Sequence, residues 1–248
     1  MKNQFATLTE KLTAATFLSL THNPTIKQMP KVSNLPEYIA EILGQYYGLV
    51  VEIPHYLSEM AMIAKSQGWV NIEREVLRNR AEEYGSRTDG IPHRSLFSRG
   101  LRQEMHLEVE SFQRQTVTHN FLCSLMYSLV HKSPEFALGV IYALEDTATP
   151  ELLVVGQLIS YIHEGVSVDN LSSNDLAAKD RQIPASELSL ASFLRMHIVD
   201  FEIGHREGLK TAIAKDLGNT LSGEFLKGYQ SVIQSMEDWW WYLAAVCE

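Results

Sequence analysis

The 248-residue sequence lacks the features that mark several common protein classes. Its two cysteines, Cys123 and Cys247, are too few for a disulfide framework and are not spaced as zinc ligands. No apolar run is long enough to span a bilayer, and Glu10 and Lys11 interrupt the short apolar stretch near the start, where a signal peptide would stay apolar. These absences favour a protein of the reducing cytoplasm.

Positive charge is also scarce. Lysine and arginine total 21 against 30 acidic residues, which gives a net charge of −9. A nucleic-acid-binding protein would show a basic stripe, and an anionic membrane surface would attract basic clusters. Neither pattern is present, so we expect no nucleic-acid or membrane partner and look for a small-molecule substrate.

Strand patterns are nearly absent, whereas apolar residues recur at helical spacing along most of the chain. The pattern predicts one all-α domain over 1–248, packed as a bundle of seven to nine helices. It includes an N-terminal helix and irregular segment at 1–34 and a polar insert loop at 166–184. The predicted long helices span 35–68, 71–85, 106–132, 133–146, 149–165, 184–217 and 222–246.

Acids and histidines gather at apolar helix edges in three places. Glu82 and Glu83 end one predicted helix, and His93 begins the next. Glu145 follows an apolar run. The third group lies in "RMHIVDFEIGHREG" at 195–208. Buried acids are costly unless they are paired or bound to metal, and helical bundles build metal sites from several helices. Mixed imidazole and carboxylate ligands suit iron or manganese.

The third group contains His197, Glu202 and His205, and its geometry leaves two alternatives. In a straight helix Glu202 lies about 140° from His197, and His205 about 80°, which is too splayed for one centre. A π-bulge that absorbs one extra residue would bring all three onto one face, and such bulges favour functional sites. Without a bulge, Asp200 shares the face of His197 and replaces Glu202 as the candidate ligand.

These residues resemble the heme-oxygenase-like diiron oxidases, in particular the CADD-like branch. The match begins with "YYGLVVEIPHYLS" at 46–58 and keeps its order to about residue 215. It continues through Glu145 and Pro150 and ends in a spaced His–acid–His motif. The middle of the match comprises Asn79, Glu82, Glu83, Gly85, His93, Leu96 and Phe97.

The resemblance implies a seven-helix heme-oxygenase-like bundle that uses two Fe(II) ions and O2. It implies six iron ligands: Glu82, His93, Glu145, His197, Glu202 and His205. The last motif has one extra residue and Glu in place of Asp, which leaves Asp200 as the alternative to Glu202. The family oxidises amines, amino acids or fatty acids, by N-oxygenation, oxidative C–C cleavage or nitrile formation. The chain lacks the lysine after Glu145 that the self-sacrificing p-aminobenzoate-forming members need.

The resemblance thus implies an oxidoreductase of small-molecule biosynthesis. The residues expected to line its pocket are aromatic and polar, which favours an amine or amino acid as the substrate. One specific possibility is a tryptophan-like amino acid that is converted to a nitrile. Substrate-binding candidates are Tyr46, Tyr47, Tyr142 and Arg195. An external electron donor is compatible with this chemistry, and the tryptophans at 239–241 are compatible with a homodimer. Two other classes compete with this hypothesis. One is a thiaminase-like hydrolase, which needs a nucleophilic cysteine beside an acid, whereas Cys123 is expected to be a buried thiol. The other is a metal-free interaction protein.

Overall fold

The computed structural model describes residues 5, 8, 12, 15–171, 188–218 and 220–245. Within this part of the chain the regular structure is entirely helical. The helices are α1 (Pro24–Gln28), α2 (Leu35–Gln67), α3 (Val70–Glu83), α4 (His93–Met105), α5 (Thr116–His131), α6 (Pro134–Ser160), α7 (Val168–Leu171), α8 (Leu190–Met196), α9 (Glu202–Leu217) and α10 (Gly223–Ala245). A π-helical segment, His197–Phe201, joins α8 to α9. When α8, the π-helical segment and α9 are counted as one helix, seven of the described helices are longer than ten residues.

The all-α bundle is confirmed, and the N-terminal segment is described only in part. Short 3₁₀ turns at Thr16–Leu18 and Met29–Lys31 flank α1. The predicted insert at 166–184 is described as far as residue 171, and its remaining residues lie outside the described part. None of the described helices is long and apolar enough to cross a membrane.

Helix α6 differs from the prediction because it runs through Pro150 instead of restarting there. Ser133 caps its N-terminus, accepting a hydrogen bond from the amide of Phe136 at 3.3 Å, as its sequence predicts. Pro150 removes one backbone hydrogen bond, but apolar residues on both sides of it are buried in the same core. Burial of this continuous stripe offsets the lost bond, so the two predicted helices form one.

The predicted helix over 106–132 is also wrong in its first part. Helix α4 ends at Met105 because His106 adopts a left-handed conformation, with φ 57°. The chain then forms only a 3₁₀ turn, Val109–Ser111, before α5 begins at Thr116. Apolar spacing continued across this break, and periodicity alone did not reveal it.

The core is one continuous cluster of buried apolar side chains to which all the long helices contribute. Helix α10 packs most closely on α6, where glycines allow the two backbones to meet. A Cβ atom on Gly139 would overlap the carbonyl oxygen of Phe225, and one on Gly228 would overlap that of Phe136. Trp239 and Trp240 are buried in this core, whereas Trp241 is 55% exposed.

Candidate metal centre

The π-helical segment decides the geometry of the third acid–histidine group. The amide of Glu202 donates to the carbonyl of His197, five residues earlier, so the segment accommodates one residue more than an α-helix. His197, Glu202 and His205 are all buried and all line one cavity. Asp200 instead pairs with Arg87, at 2.7 Å between Oδ2 and a guanidinium nitrogen, outside the cavity lining. The bulge alternative is therefore the one that the structure adopts.

The turn between α3 and α4 brings the first group to the same place. Gly85 follows the end of α3 with φ 94°, a conformation that a side chain would strain. A Cβ atom there would also lie 2.5 Å from the carbonyl oxygen of Ile91. The hydroxyl of Thr88 donates to that same carbonyl at 2.7 Å. The resulting compact turn holds Glu83 and His93 close together at the ends of two helices.

His93 and His197 form a pair of buried imidazoles. Nδ1 of His197 lies 2.9 Å from the carbonyl oxygen of Phe193, which requires a proton on Nδ1 and leaves Nε2 as an acceptor. That Nε2 lies 3.0 Å from Nδ1 of His93, which is also 3.3 Å from Oε1 of Glu83. Burial, and then the neighbouring His93, lower the pKa of His197 to about 3. The imidazole of His197 is therefore neutral, the form that binds a metal.

His205 stands among three carboxylates from three helices. Its Nε2 lies 3.2 Å from Oε2 of Glu82, and its Nδ1 lies 3.4 Å from Glu145 and 3.7 Å from Glu202. Burial by itself lowers the pKa of His205, but Glu145 and then Glu82 and Glu202 raise it well above its ordinary value. In the metal-free protein the imidazolium thus supplies positive charge among these three carboxylates. Asn79 on α3 orients one of them, because its Nδ2 donates to Oε1 of Glu145 at 2.9 Å.

The two neighbouring glutamates at the end of α3 differ in their partners. Glu82 accepts a hydrogen bond from Arg78 at 2.5 Å and has Arg87 at 3.7 Å. Burial raises the pKa of Glu82, but His205 and these arginines produce a net lowering. Burial likewise raises the pKa of Glu83, but His93 outweighs it and brings the value to about 2. Glu83 lines the cavity, whereas Glu82 lies behind it.

One set of ligand-type atoms is especially compact. Oxygens of Glu83 and Glu202 and a nitrogen of His205 lie within 4.8 Å of one another. Burial raises the pKa of Glu202 to about 8, against the opposing effect of His205. Five of the six predicted ligands line the cavity; Glu82 does not, but its neighbour Glu83 does.

The cavity extends from this cluster between α2, α4 and α6. The centre of a water molecule can occupy about 80 Å³ of it. Its remaining wall is mostly apolar: Leu49, Val50, Ile53, Leu57, Phe97, Ile141, Leu144, Ala148, Leu152 and Phe193, together with Tyr46 and Tyr56.

Of the four predicted substrate-binding residues, one lines the cavity. Tyr46 lines the cavity, whereas Tyr47, Tyr142 and Arg195 are not part of its wall. Tyr142 instead packs on the rings of Phe225 and Tyr229 in the core, at centroid distances of 5.8 and 6.2 Å. Helical spacing placed these side chains near the candidate site but could not show which side of the helix faced the cavity.

Sequence reasoning missed Glu151, which lines the cavity and is 2% exposed. The predicted helix start at Thr149 made Glu151 look like an acid in a first helical turn, where acids are common. The available signal was its spacing. Ile141, Leu144, Glu145, Ala148, Glu151 and Leu152 form one stripe if α6 is read as continuous.

The family model described as a domain of unknown function with a solved structure, DUF3865, matches residues 3–246. The chain belongs to the DUF3865 family. No curated protein matches this DUF3865 chain.

Two solved structures of a CADD-like protein of unknown function from Nostoc punctiforme PCC 73102 are similar to this DUF3865 chain. One has a TM-score of 0.81 at 27% identity, covering 98% of this chain and 97% of that one. The other has a TM-score of 0.79 at 26% identity, with coverages of 98% and 96%. The predicted resemblance to CADD-like proteins is thereby confirmed.

A TenA homologue from Pseudomonas syringae pv. tomato strain DC3000 has a TM-score of 0.61 at 12% identity. The match covers 98% of this chain and 91% of that one. At this identity the likeness concerns the all-helical fold alone.

Proposed function

We propose that this DUF3865 protein is a non-heme diiron oxidase that uses O2 to oxidise a small amine or amino acid. The observation that carries the proposal is the convergence of three imidazoles and four carboxylates, from four separate segments, beside an apolar cavity. Such groups are expensive to bury without a metal ion or a fixed partner.

The donor set fits two divalent ions. The donor atoms of three residues meet at one point, because Nδ1 of His93 lies 3.0 Å from Nε2 of His197 and 3.3 Å from Oε1 of Glu83. Nδ1 of His197 donates to a backbone carbonyl, so its Nε2 is the nitrogen available to a metal. Nitrogen and carboxylate donors suit iron, and several carboxylates would balance most of the charge of two Fe(II) ions. We assign the ligands as Glu83, His93, Glu145, His197, Glu202 and His205.

Bound iron would supply one-electron redox chemistry and Lewis acidity toward O2. The protein's own contribution is to orient the ligands and exclude water. The carbonyl of Phe193 fixes the tautomer of His197, and Asn79 holds one oxygen of Glu145. Such outer partners set the direction and basicity of metal ligands. The apolar wall of the cavity keeps bulk water from the reacting groups.

The cavity supports a small substrate. A water needs roughly 10–15 Å³ of such space, so the cavity has room for roughly five to eight waters. This volume suits a compact amine or amino acid better than a long-chain fatty acid. A tryptophan-like amino acid lies at the upper end of this size, and its conversion to a nitrile is the narrowest form of the proposal.

The hydrolase alternative needs a thiol at the cavity. Cys123 was expected to be buried, but it is exposed on α5, and its Sγ lies 3.5 Å from Nε2 of His119. Helix α5 places it away from the cavity wall. No described cysteine lines the cavity, so we do not favour a thiaminase-like mechanism. The interaction-protein alternative gives no reason for burying so many ionisable groups around one point.

Anaerobic loading with Fe(II), followed by desalting and elemental analysis, tests the proposal. We expect about two irons per chain, and O2 uptake by the reduced protein that an amine or amino acid from a broad panel accelerates. Replacing His197 or Glu145 with alanine should abolish loading while the helical CD spectrum persists. His55→Ala, at an exposed position, is the matched control and should load as the parent does. Full loading of both ligand variants, or a parent protein without iron, would refute the proposal.

A further inference from the structure

Glu151 is the acidic residue of the described cavity wall that the proposed metal centre does not use. It comes from α6, six residues after Glu145, or about 9 Å further along the helix axis. The compact group of ligand-type atoms contains Glu83, Glu202 and His205 but not Glu151. Its side chain is nevertheless buried, at 2% exposure, in the wall of the same cavity.

One oxygen of this carboxyl group has no protein partner. Oε2 of Glu151 is buried and unbonded within the described part of the chain. Leu152 on the same helix and apolar side chains of α2 line the same cavity. A buried polar atom without a partner is costly, so its persistence points to a partner that comes from outside the chain.

The cavity selects the chemistry of that partner. Among the described residues that line it there is no lysine or arginine, and Arg195, the predicted carboxylate-binding residue, lies elsewhere. An ionised Glu151 accepts hydrogen bonds and balances a positive charge, so it favours a cationic ligand over an anionic one. The mostly apolar remainder favours a ligand whose body is a hydrocarbon.

We propose that Glu151 binds the ammonium group of a small, mostly apolar amine, and thereby sets the substrate specificity of the site. An ammonium donates charge-assisted hydrogen bonds, which satisfy the open oxygen and place the apolar body against the wall. This inference rests on the proposed function, because the amine would be the substrate of the proposed diiron centre. Its binding step requires only the cavity and can be measured without iron.

Calorimetric titration of the full-length, metal-free protein with two matched probes tests the inference. 2-Phenylethylamine carries the ammonium, and 2-phenylethanol replaces it with a neutral hydroxyl. We expect the amine to bind at least tenfold more tightly than the alcohol. In Glu151→Gln, which keeps the shape of the side chain, we expect the amine to lose at least tenfold in affinity. Unchanged alcohol binding would show that the variant's cavity is intact.

Glu83→Gln is the matched control for the other carboxylates near the cavity. If the amine were held by the metal-ligand cluster, this control would lose affinity and Glu151→Gln would not, which would overturn the inference. Equal binding of amine and alcohol to the parent, or no binding of either, would also overturn it. Iron loading of Glu151→Gln completes the test. About two irons per chain is expected, and a loss of iron would make Glu151 a ligand instead.

The outcome is distinguishable from a failure of the proposed function. A parent protein that takes up no iron but binds the amine through Glu151 would refute the oxidase and preserve the amine site. A parent that loads two irons but shows no dependence on Glu151 would do the reverse.

Discussion

Deleting one residue inside the π-helical segment should preserve iron binding at the proposed metal centre, whereas deleting one just after the segment should abolish it. Five residues separate Glu202 from His197, whereas an α-helix places residues on one face at a spacing of three or four. The π-helical segment absorbs the extra residue. Removing Asp200 restores the count, so the segment can become α-helical with His197, Glu202 and His205 still on one face. Asp200 contributes only a partly exposed pair with Arg87, and such pairs are worth about 0–1 kcal/mol.

Deleting Ile203 has no such remedy. If the π-helical segment persists, His205 rotates by about 100° around the helix axis. If the segment reverts to an α-helix, His205 returns to its place but Glu202 rotates by the same angle. For a side chain about 5–6 Å from the axis, this rotation moves a ligand atom by roughly 8–9 Å. A metal–ligand bond is about 2 Å long, so either outcome removes one ligand.

The measurement is the iron content after anaerobic loading, with CD to follow helix content. We expect about two irons per chain for the Asp200 deletion and for Asp200→Ala, which removes the Arg87 pair without shortening the helix. The Ile203 deletion should load clearly less iron at equal helix content. Ile203 is 39% exposed, so its loss removes little packing. Equal iron contents in the two deletion variants would refute the role that we assign to the bulge.

Three further predictions follow from the buried charges and the helix contacts. Glu83→Gln should lower the iron content, while Glu82→Gln should load nearly as the parent does; the reverse result would return the ligand role to Glu82. Burial raises the pKa of Glu151 to about 8, so the unfolded chain releases this proton at lower pH and stability falls as pH rises from about 4.5 to 8. Urea unfolding of the metal-free protein checks this. Within that range the free energy of unfolding of Glu151→Gln, relative to the parent, should increase by about 1.4 kcal/mol per pH unit. A difference that stays constant with pH would contradict the raised pKa of Glu151. Gly139→Ala should cost about 1–3 kcal/mol in urea unfolding, because its Cβ would overlap a carbonyl of the neighbouring helix. Gly204→Ala, with open space around its Cβ, should instead be neutral or stabilise by up to about 1 kcal/mol, and similar losses in both would contradict the packing argument.

The sequence by itself determined the class of the fold and the kinds of residue at the candidate centre. Apolar spacing predicts a helical bundle, since a helix must bury its apolar stripe against other helices. Gly85 was correctly placed after the end of a helix, because few other residues adopt its backbone conformation. Local chemistry of this kind depends on neighbouring residues and can be read directly.

Only the tertiary structure decided which side chains face one another. The π-helical segment was one of two alternatives until its register placed Glu202 on the cavity and paired Asp200 with Arg87. Arg78 and Arg87 reach the carboxyl group of Glu82, whereas Glu83 lines the cavity, and on this difference we propose Glu83 as the ligand. Glu151 became visible only once α6 continued through Pro150. Each of these outcomes depends on packing between segments far apart in the chain, and the period of a single helix carries no information about its neighbours.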